Sequence, residues 1–227
     1  MRVPRRVCAI AAPVLAAGLL AGCASTVAGT ARFAGLGSDG ATVSAAQLDG
    51  LFPDAGAVAD LARTGPLGAP RTYSSPPAAT AGPDSPSCTA AVLPGAGYPG
   101  SQTDVRGQSL TETSGKNPGT VEMMVVRFDT DTDATSFVDG LWSSWGQCGG
   151  ELVRFAGDDG NWVLGAPRIA YGARTVGRAR EGGQGFGCAR AVGVRGNLVA
   201  DVTDCGADRS VVADRAARLV EAILDSA

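Results

Sequence analysis

The spacing of apolar and polar positions changes several times along this chain, and each change marks an element. The first apolar stretch, Val7 to Leu20, carries no charge, follows Arg2, Arg5 and Arg6, and ends in small residues. It is shorter than the ~20 apolar residues that cross a bilayer, and its three-part plan is that of a secretory signal peptide over residues 1–22. Val43 to Ala62 has a helical distribution of Leu48, Leu51 and Phe52, with Pro53 dividing it into two short helices. Val121 to Phe128 (VEMMVVRF) is a short apolar run rich in β-branched residues, which predicts a buried, central strand. From Thr132 the period becomes helical: Ala134, Phe137, Val138, Leu141, Trp142 and Trp145 share one face, Asp131 or Thr132 is placed to cap, and Gly146, Gly149 and Gly150 stop the helix. A last helix is expected over Asp208 to Leu224, capped by Asp208, with Val212, Ala216, Leu219, Val220 and Ile223 as its stripe and Arg215, Arg218 and Glu221 opposite. For both tryptophans, packing against the sheet is favoured over stacking on a ligand.

Phe186 to Val194 and Leu198 to Thr203 read as two strands, and Gly196-Asn197 between them is suited to the positive φ of a two-residue hairpin turn. In that register, residues whose numbers sum to 393 face each other, which sets Cys188 opposite Cys205 on a non-hydrogen-bonded pair, where side chains approach closest. One face of the hairpin carries Ala189, Ala191, Leu198, Ala200 and Val202, small and suited to a helix. The other carries Arg190, Val192, Asp201 and Thr203, with Arg190 and Asp201 diagonal and close enough to pair.

Cysteine usage extends this argument. Leu20-Ala21-Gly22-Cys23 closes the apolar leader in the manner of a bacterial lipobox, in which the cysteine is diacylated and becomes the new N-terminus; the alternative is an ordinary secretory signal that contains Cys23. Two acyl chains would hold the chain firmly at ~0.8 kcal/mol per buried CH₂. With Cys8 in the leader and Cys23 lipidated, Cys88, Cys148, Cys188 and Cys205 remain, and four cysteines in an exported chain suggest two disulfides. The hairpin register pairs Cys188 with Cys205 and leaves Cys88 with Cys148, a long loop whose closure is worth ~4 kcal/mol in the chain-entropy description. Residues 23–42 are small, Gly-rich and suited to a tether. Thr64 to Ser87, with Pro66, Pro70, Pro76, Pro77, Pro83 and Pro86, is too proline-rich for a helix or central strand, and about 140 residues from Cys88 onward suffice for one compact core.

Charge and chemistry narrow the function. Of 19 basic residues three lie in the leader, so the remainder carries 16 against 22 acidic residues, a formal charge of −6, without the basic surplus of a nucleic-acid binder. There is no histidine, which removes Ser-His-Asp and Cys-His centres and zinc sites of the histidine type, and no CxxC spacing supports a four-cysteine zinc site. No metal or cofactor is expected. A carboxylate pair from Asp158 and Asp159, or from Asp129, Asp131 and Asp133, could serve glycan hydrolysis, but helix-capping and turn roles account for these acids better. No twelve-residue EF-hand loop is present.

Taken in order, these residues resemble the PknH-like extracellular sensor domain family of mycobacteria and related actinobacteria. The resemblance is carried by Cys88, Tyr98-Pro99-Gly100-Ser101, the strand Val121 to Phe128, Trp145-Gly146-Gln147-Cys148-Gly149-Gly150, and Cys188-Ala189-Arg190-Ala191 through Gly196-Asn197-Leu198-Val199-Ala200-Asp201-Val202 to Cys205. It covers roughly residues 43–227, and a run of Gly182, Gly183, Gly185 and Gly187 departs from it at one edge of the expected cleft. The resemblance implies an α+β fold, with an antiparallel-rich central sheet, packed helices and two disulfides, and a cleft that binds an unidentified cell-envelope ligand. The family includes outer halves of membrane kinases and free-standing lipoproteins. The absence of kinase motifs and of a second apolar span aligns this sequence with the latter. The expectation is a non-catalytic sensor or ligand-binding module on the outer face of the cytoplasmic membrane, held by lipid on Cys23, with Arg190, Asp201 and Tyr98 as polar groups of the cleft. A partner protein of the envelope, such as a receptor kinase bearing the same fold, is the competing expectation.

Overall fold

The structure, a computed structural model, describes residues 42–77, 88–155 and 160–227. The leader, Cys23 and residues 24–41 of the proposed tether lie outside the described residues, as do Pro83, Pro86, Asp158 and Asp159. After a 3₁₀ segment at Ala45–Leu51, the elements are α1 (Ala55–Ala62), β1 (Arg71–Tyr73), α2 (Thr89–Val92), β2 (Asp104–Thr111), β3 (Thr120–Arg127) and α3 (Asp131–Trp145). Then follow β4 (Leu152–Arg154), β5 (Asn161–Leu164), β6 (Arg168–Ala170), β7 (Ala173–Arg180), β8 (Gly187–Arg195), β9 (Leu198–Gly206) and α4 (Val212–Asp225).

The strands form one antiparallel sheet in the order β1-β2-β3-β9-β8-β7-β5-β4, with β6 also paired to β7. This is the α+β architecture expected, built in three layers. On one face the 3₁₀ segment, α1 and α4 bury Leu48, Leu51, Val58, Leu219 and Ile223 against Val121, Met123, Val125, Leu198, Ala200 and Val202. On the other, α2 and α3 bury Val92, Val138, Leu141 and Trp145 against Met124, Val126, Val192 and Val199. The run VEMMVVRF lacks a clean alternation because β3 is covered on both faces, and only Glu122 and the terminal Arg127 interrupt its apolar lining.

The hairpin register is the one expected, with Cys188 opposite Cys205 and Arg195 opposite Leu198. Both disulfides form as paired above: Cys88 with Cys148, and Cys188 with Cys205, where the Cα atoms are 4.0 Å apart. Within this turn positive φ is confined to Gly196 (54°), with Asn197 outside that region, the pattern of a II′ rather than a I′ turn.

Three boundaries differ from expectation. Thr130, not Asp131 or Thr132, caps α3: its hydroxyl accepts from the Asp133 N–H at 3.1 Å, and Asp131 and Asp133 fall in the first turn. Asp208 does not cap α4. Its carboxylate accepts from the N–H and hydroxyl of Ser210, closing a turn ahead of a helix that starts only at Val212. The proline-rich stretch contains β1, which survives between Pro70 and Pro76 because it occupies the sheet edge and must bond to β2 alone.

Candidate functional site

The three polar residues singled out for the cleft are brought together by the β8–β9 hairpin, but they face inward. Arg190 and Asp201 project from the face covered by α2 and α3, and their side chains are 0 % exposed. The Arg190 Nη2 and Nε donate to the two Asp201 oxygens at 2.6 and 3.0 Å. Its Nη1 donates to the carbonyls of Ala90, Leu93 (3.0 Å) and Ala96, and the guanidinium lies 5.6 Å from the Trp145 ring centroid. The Tyr98 hydroxyl completes the set by donating to Asp201 Oδ2 at 3.0 Å. Burial pulls the Arg190 pKa down, yet Asp201 more than offsets it and holds the guanidinium charged; burial, with Asp201 added, drives the Tyr98 hydroxyl well above its ordinary range. The donors and acceptors are thereby saturated, and the segment from Cys88 to Tyr98, which has little regular structure of its own, is fastened to the sheet.

Arg178 on β7 reinforces this fastening. It donates to the Val92 carbonyl, and its guanidinium lies 5.4 Å from the ring centroids of both Phe155 and Trp162. Trp145, fully buried, donates its indole N–H to the Ala90 carbonyl at 2.9 Å, so its role is core packing. Further along the same face, Tyr73 donates to Glu122 Oε1 at 3.0 Å, with both groups pushed up in pKa chiefly by burial. On the opposite face Arg215 clasps Asp204 through Nε at 2.6 Å and Nη2 at 2.9 Å, tying α4 to β9. Neither pair was foreseen from sequence, because each joins elements whose packing distance no local pattern reveals.

Two concavities lie beside this framework. One, of about 480 Å³, runs along α3 beside Ser136, Phe137, Gly140 and Ser144, and is closed by Pro99 and Ser101 from the loop that carries Tyr98. Phe137, stacked on Tyr98 with centroids 4.3 Å apart, forms its floor. Ser136, Gly140 and Ser144 recur at i, i+4 and i+8, a stripe of small residues that was readable in the sequence and opens the groove by leaving out bulk. The second, of about 590 Å³, is bounded by Val163, Gly165, Gly177 and Ala179 of the sheet and by Val212 and Ala213 at the start of α4. The glycine run that departed from the family pattern forms the β7–β8 turn near its rim, with positive φ at Gly182 and Gly185. Among the described residues no cluster of three or more Cys, Asp or Glu is arranged to hold a metal ion.

The model of the PknH-like extracellular domain matches residues 43–226. The chain belongs to this family. It is similar in fold to the crystal structure of the extracellular domain of PknH from Mycobacterium tuberculosis, with a TM-score of 0.72 and 24% identity over 82% of this chain and 96% of that one. It is also 30% identical over 117 residues to the serine/threonine-protein kinases PknH of Mycobacterium bovis and Mycobacterium tuberculosis. That stretch is 51% of this chain but only 19% and 18% of those relatives, so the chain spans under a fifth of their length. Kinase activity is named of those proteins, and the similar solved structure is that of an extracellular part. This PknH-like domain is accordingly an extracytoplasmic one. Among the described residues no helix is long and apolar enough to cross a membrane.

Proposed function

We propose that this PknH-like domain is a lipid-anchored, non-catalytic sensor module that holds a small cell-envelope molecule in the groove along α3. The observation that carries the reading is the saturated Arg190–Asp201–Tyr98 cluster directly behind that groove. A ligand site gains affinity when its walls are fixed before binding, and here a buried ion pair and a ring stack fix the loop that closes the groove. In this role Arg190, Asp201 and Tyr98 support the ligand site from behind. Its volume lies within the ~300–1,000 Å³ of small-molecule sites, and its lining of Phe137 and Leu141 with Ser101, Ser136 and Asp133 has the usual mixture of apolar walls and a few polar groups. The larger concavity beside α4 is the second reading, favoured by its volume.

Substitutions that fill each space separate the two. Gly140 lines the α3 groove and an added Cβ there meets nothing within 4 Å, so Gly140→Trp starts from open space and fills that groove; Ala179→Trp fills the other. Native mass spectrometry of each variant after exposure to an envelope extract of the producing bacterium is expected to show an added mass that Gly140→Trp abolishes and Ala179→Trp keeps. The reverse pattern moves the site to the larger concavity, and absence of any adduct on the parent protein overturns the reading.

Anchoring is proposed on Leu20-Ala21-Gly22-Cys23 and on the extracellular family. The intact mass of the processed protein should include a diacylated Cys23, and Cys23→Ser should release the chain from the membrane fraction.

A further inference from the structure

Three large apolar side chains are exposed among the described residues, Leu152, Ile169 and Tyr171, and two of them belong to one hairpin. β6 and β7 pair Ile169 with Arg174 and Ala170 with Ala173, leaving Tyr171 and Gly172 as the turn. Ile169 is 67 % exposed. Tyr171, with φ of 46°, is held in place by Arg218, whose Nη2 donates to its hydroxyl at 2.7 Å while the guanidinium sits 4.8 Å from its ring centroid.

The position of this turn in the sheet gives it a meaning. β7 is antiparallel to β8, so the β6–β7 turn lies at the end of the sheet that holds the β8–β9 turn. Asn197 in the latter is clasped to Val43: the Val43 N–H donates to Asn197 Oδ1 at 2.9 Å, and Asn197 Nδ2 returns a bond to the Val43 carbonyl at 3.3 Å. The chain that leads from Cys23 therefore enters the domain at the same end, three strand spacings of ~4.8 Å across the sheet and about four residues, ~13 Å, along it from Ile169. Leu152 lies elsewhere, since Leu152 faces Val163, Val163 faces Ala179 and Ala179 faces Gly187, at the start of β8. Three guanidinium groups around the tip are matched by carboxylates, Arg168 with Asp214 and Arg195 with Asp225, both at 2.6 Å, and Arg174 with Asp139, while the Arg218 guanidinium is held against the Tyr171 ring and hydroxyl. Apart from the Arg218 guanidinium on Tyr171, these charges are compensated, and the side chains exposed at the tip, Ile169 and Tyr171, are apolar or aromatic.

We infer that the β6–β7 turn is a membrane-contacting tip, with Ile169 and Tyr171 entering the interfacial layer of the bilayer that holds the lipid on Cys23. This rests on the anchoring proposed above. An aromatic ring with a polar edge beside an aliphatic side chain suits that layer, where Tyr and Trp are enriched. Because three of the four surrounding guanidinium groups are paired, the contact depends chiefly on apolar insertion and forms on zwitterionic lipid.

The test compares Ile169→Trp with Leu152→Trp in the full chain, processed in a host that lipidates Cys23 and reconstituted in phosphatidylcholine vesicles containing chain-brominated lipid. The emission added by the tryptophan at 169 is expected to be quenched about two-fold or more, and equally in about 0.5 M salt; that added at 152 is expected to be unquenched. Equal quenching at both positions, or none at 169 in protein whose mass shows a diacylated Cys23, overturns the tip. A mass without acyl groups overturns the anchoring instead, and the same two variants added to vesicles from solution then decide the tip.

Discussion

Arg190 and Asp201 occupy diagonal positions across the β8–β9 hairpin and close a bidentate ion pair in which neither side chain is exposed. A pair so buried contributes less through its own attraction than through the penalty of breaking it, since removing one member strands a charge in the core. Arg190→Met is expected to lower unfolding stability by about 3–5 kcal/mol in urea titration, with Arg190→Met/Asp201→Leu recovering much of the loss. A loss under ~1 kcal/mol for the single variant would show that the pair does not fasten the 88–98 segment.

Asp204 is fully buried against α4 and gives a pH dependence of defined sign. Burial pushes its carboxyl up to about 6, with Arg215 pulling the other way. Between the ordinary carboxyl value near ~4 and about 6 the folded state holds a proton that the unfolded state has released. On this account stability falls as pH rises through that window, by at most ~1.4 kcal/mol per pH unit, and is level above it. The stability of Asp204→Asn relative to the parent should therefore rise from pH 4 to 6 and then stop changing; a difference that is flat with pH, measured by denaturation at several pH values, contradicts the assignment.

Gly140 stands in the middle of α3 without positive φ, and an added Cβ there meets no atom within 4 Å. Gly140→Ala is expected to raise stability by about 0.5–1 kcal/mol, seen as a higher Tm, because alanine removes backbone freedom from the unfolded chain.

Gly107 behaves in the opposite way. The Tyr73 ring lies across it, and a Cβ would come within 2.1 Å of that ring. Gly107→Ala should force Tyr73 off the sheet, break its bond to Glu122 and destabilise the protein by about 1–3 kcal/mol. Limited proteolysis should then cut near β1 faster than in Tyr73→Phe, which removes only the hydroxyl.

Much of the fold was legible because its signals are local. The period of α3 from Ala134 to Trp145, the apolar density of β3, and the sum of 393 across Gly196-Asn197 follow from residues close in sequence, and the last of these selected both disulfides. Helix starts were less legible, because Thr130, Asp131 and Asp208 are all competent caps and the choice depends on where the preceding strand or turn releases the chain. The structure brings the three polar residues expected in the cleft into contact with one another. Their inward orientation was not readable, since it depends on the Cys88–Tyr98 segment folding over them.

Sequence alone therefore determined the hairpin register and the cysteine pairing, because turn chemistry and side-chain periodicity act over a few residues, and the order of its motifs implied the family and, through that resemblance, the α+β class. Only the tertiary structure decided that Arg190 is sealed beneath Ala90 and Leu93, that Arg215 reaches Asp204, and that Val43 meets Asn197 at the end of the sheet that carries the β6–β7 turn. Those relationships join residues 11 to 154 positions apart. Distance between such residues is set by how the layers pack on both faces of the sheet, a property of the whole chain that no local window contains.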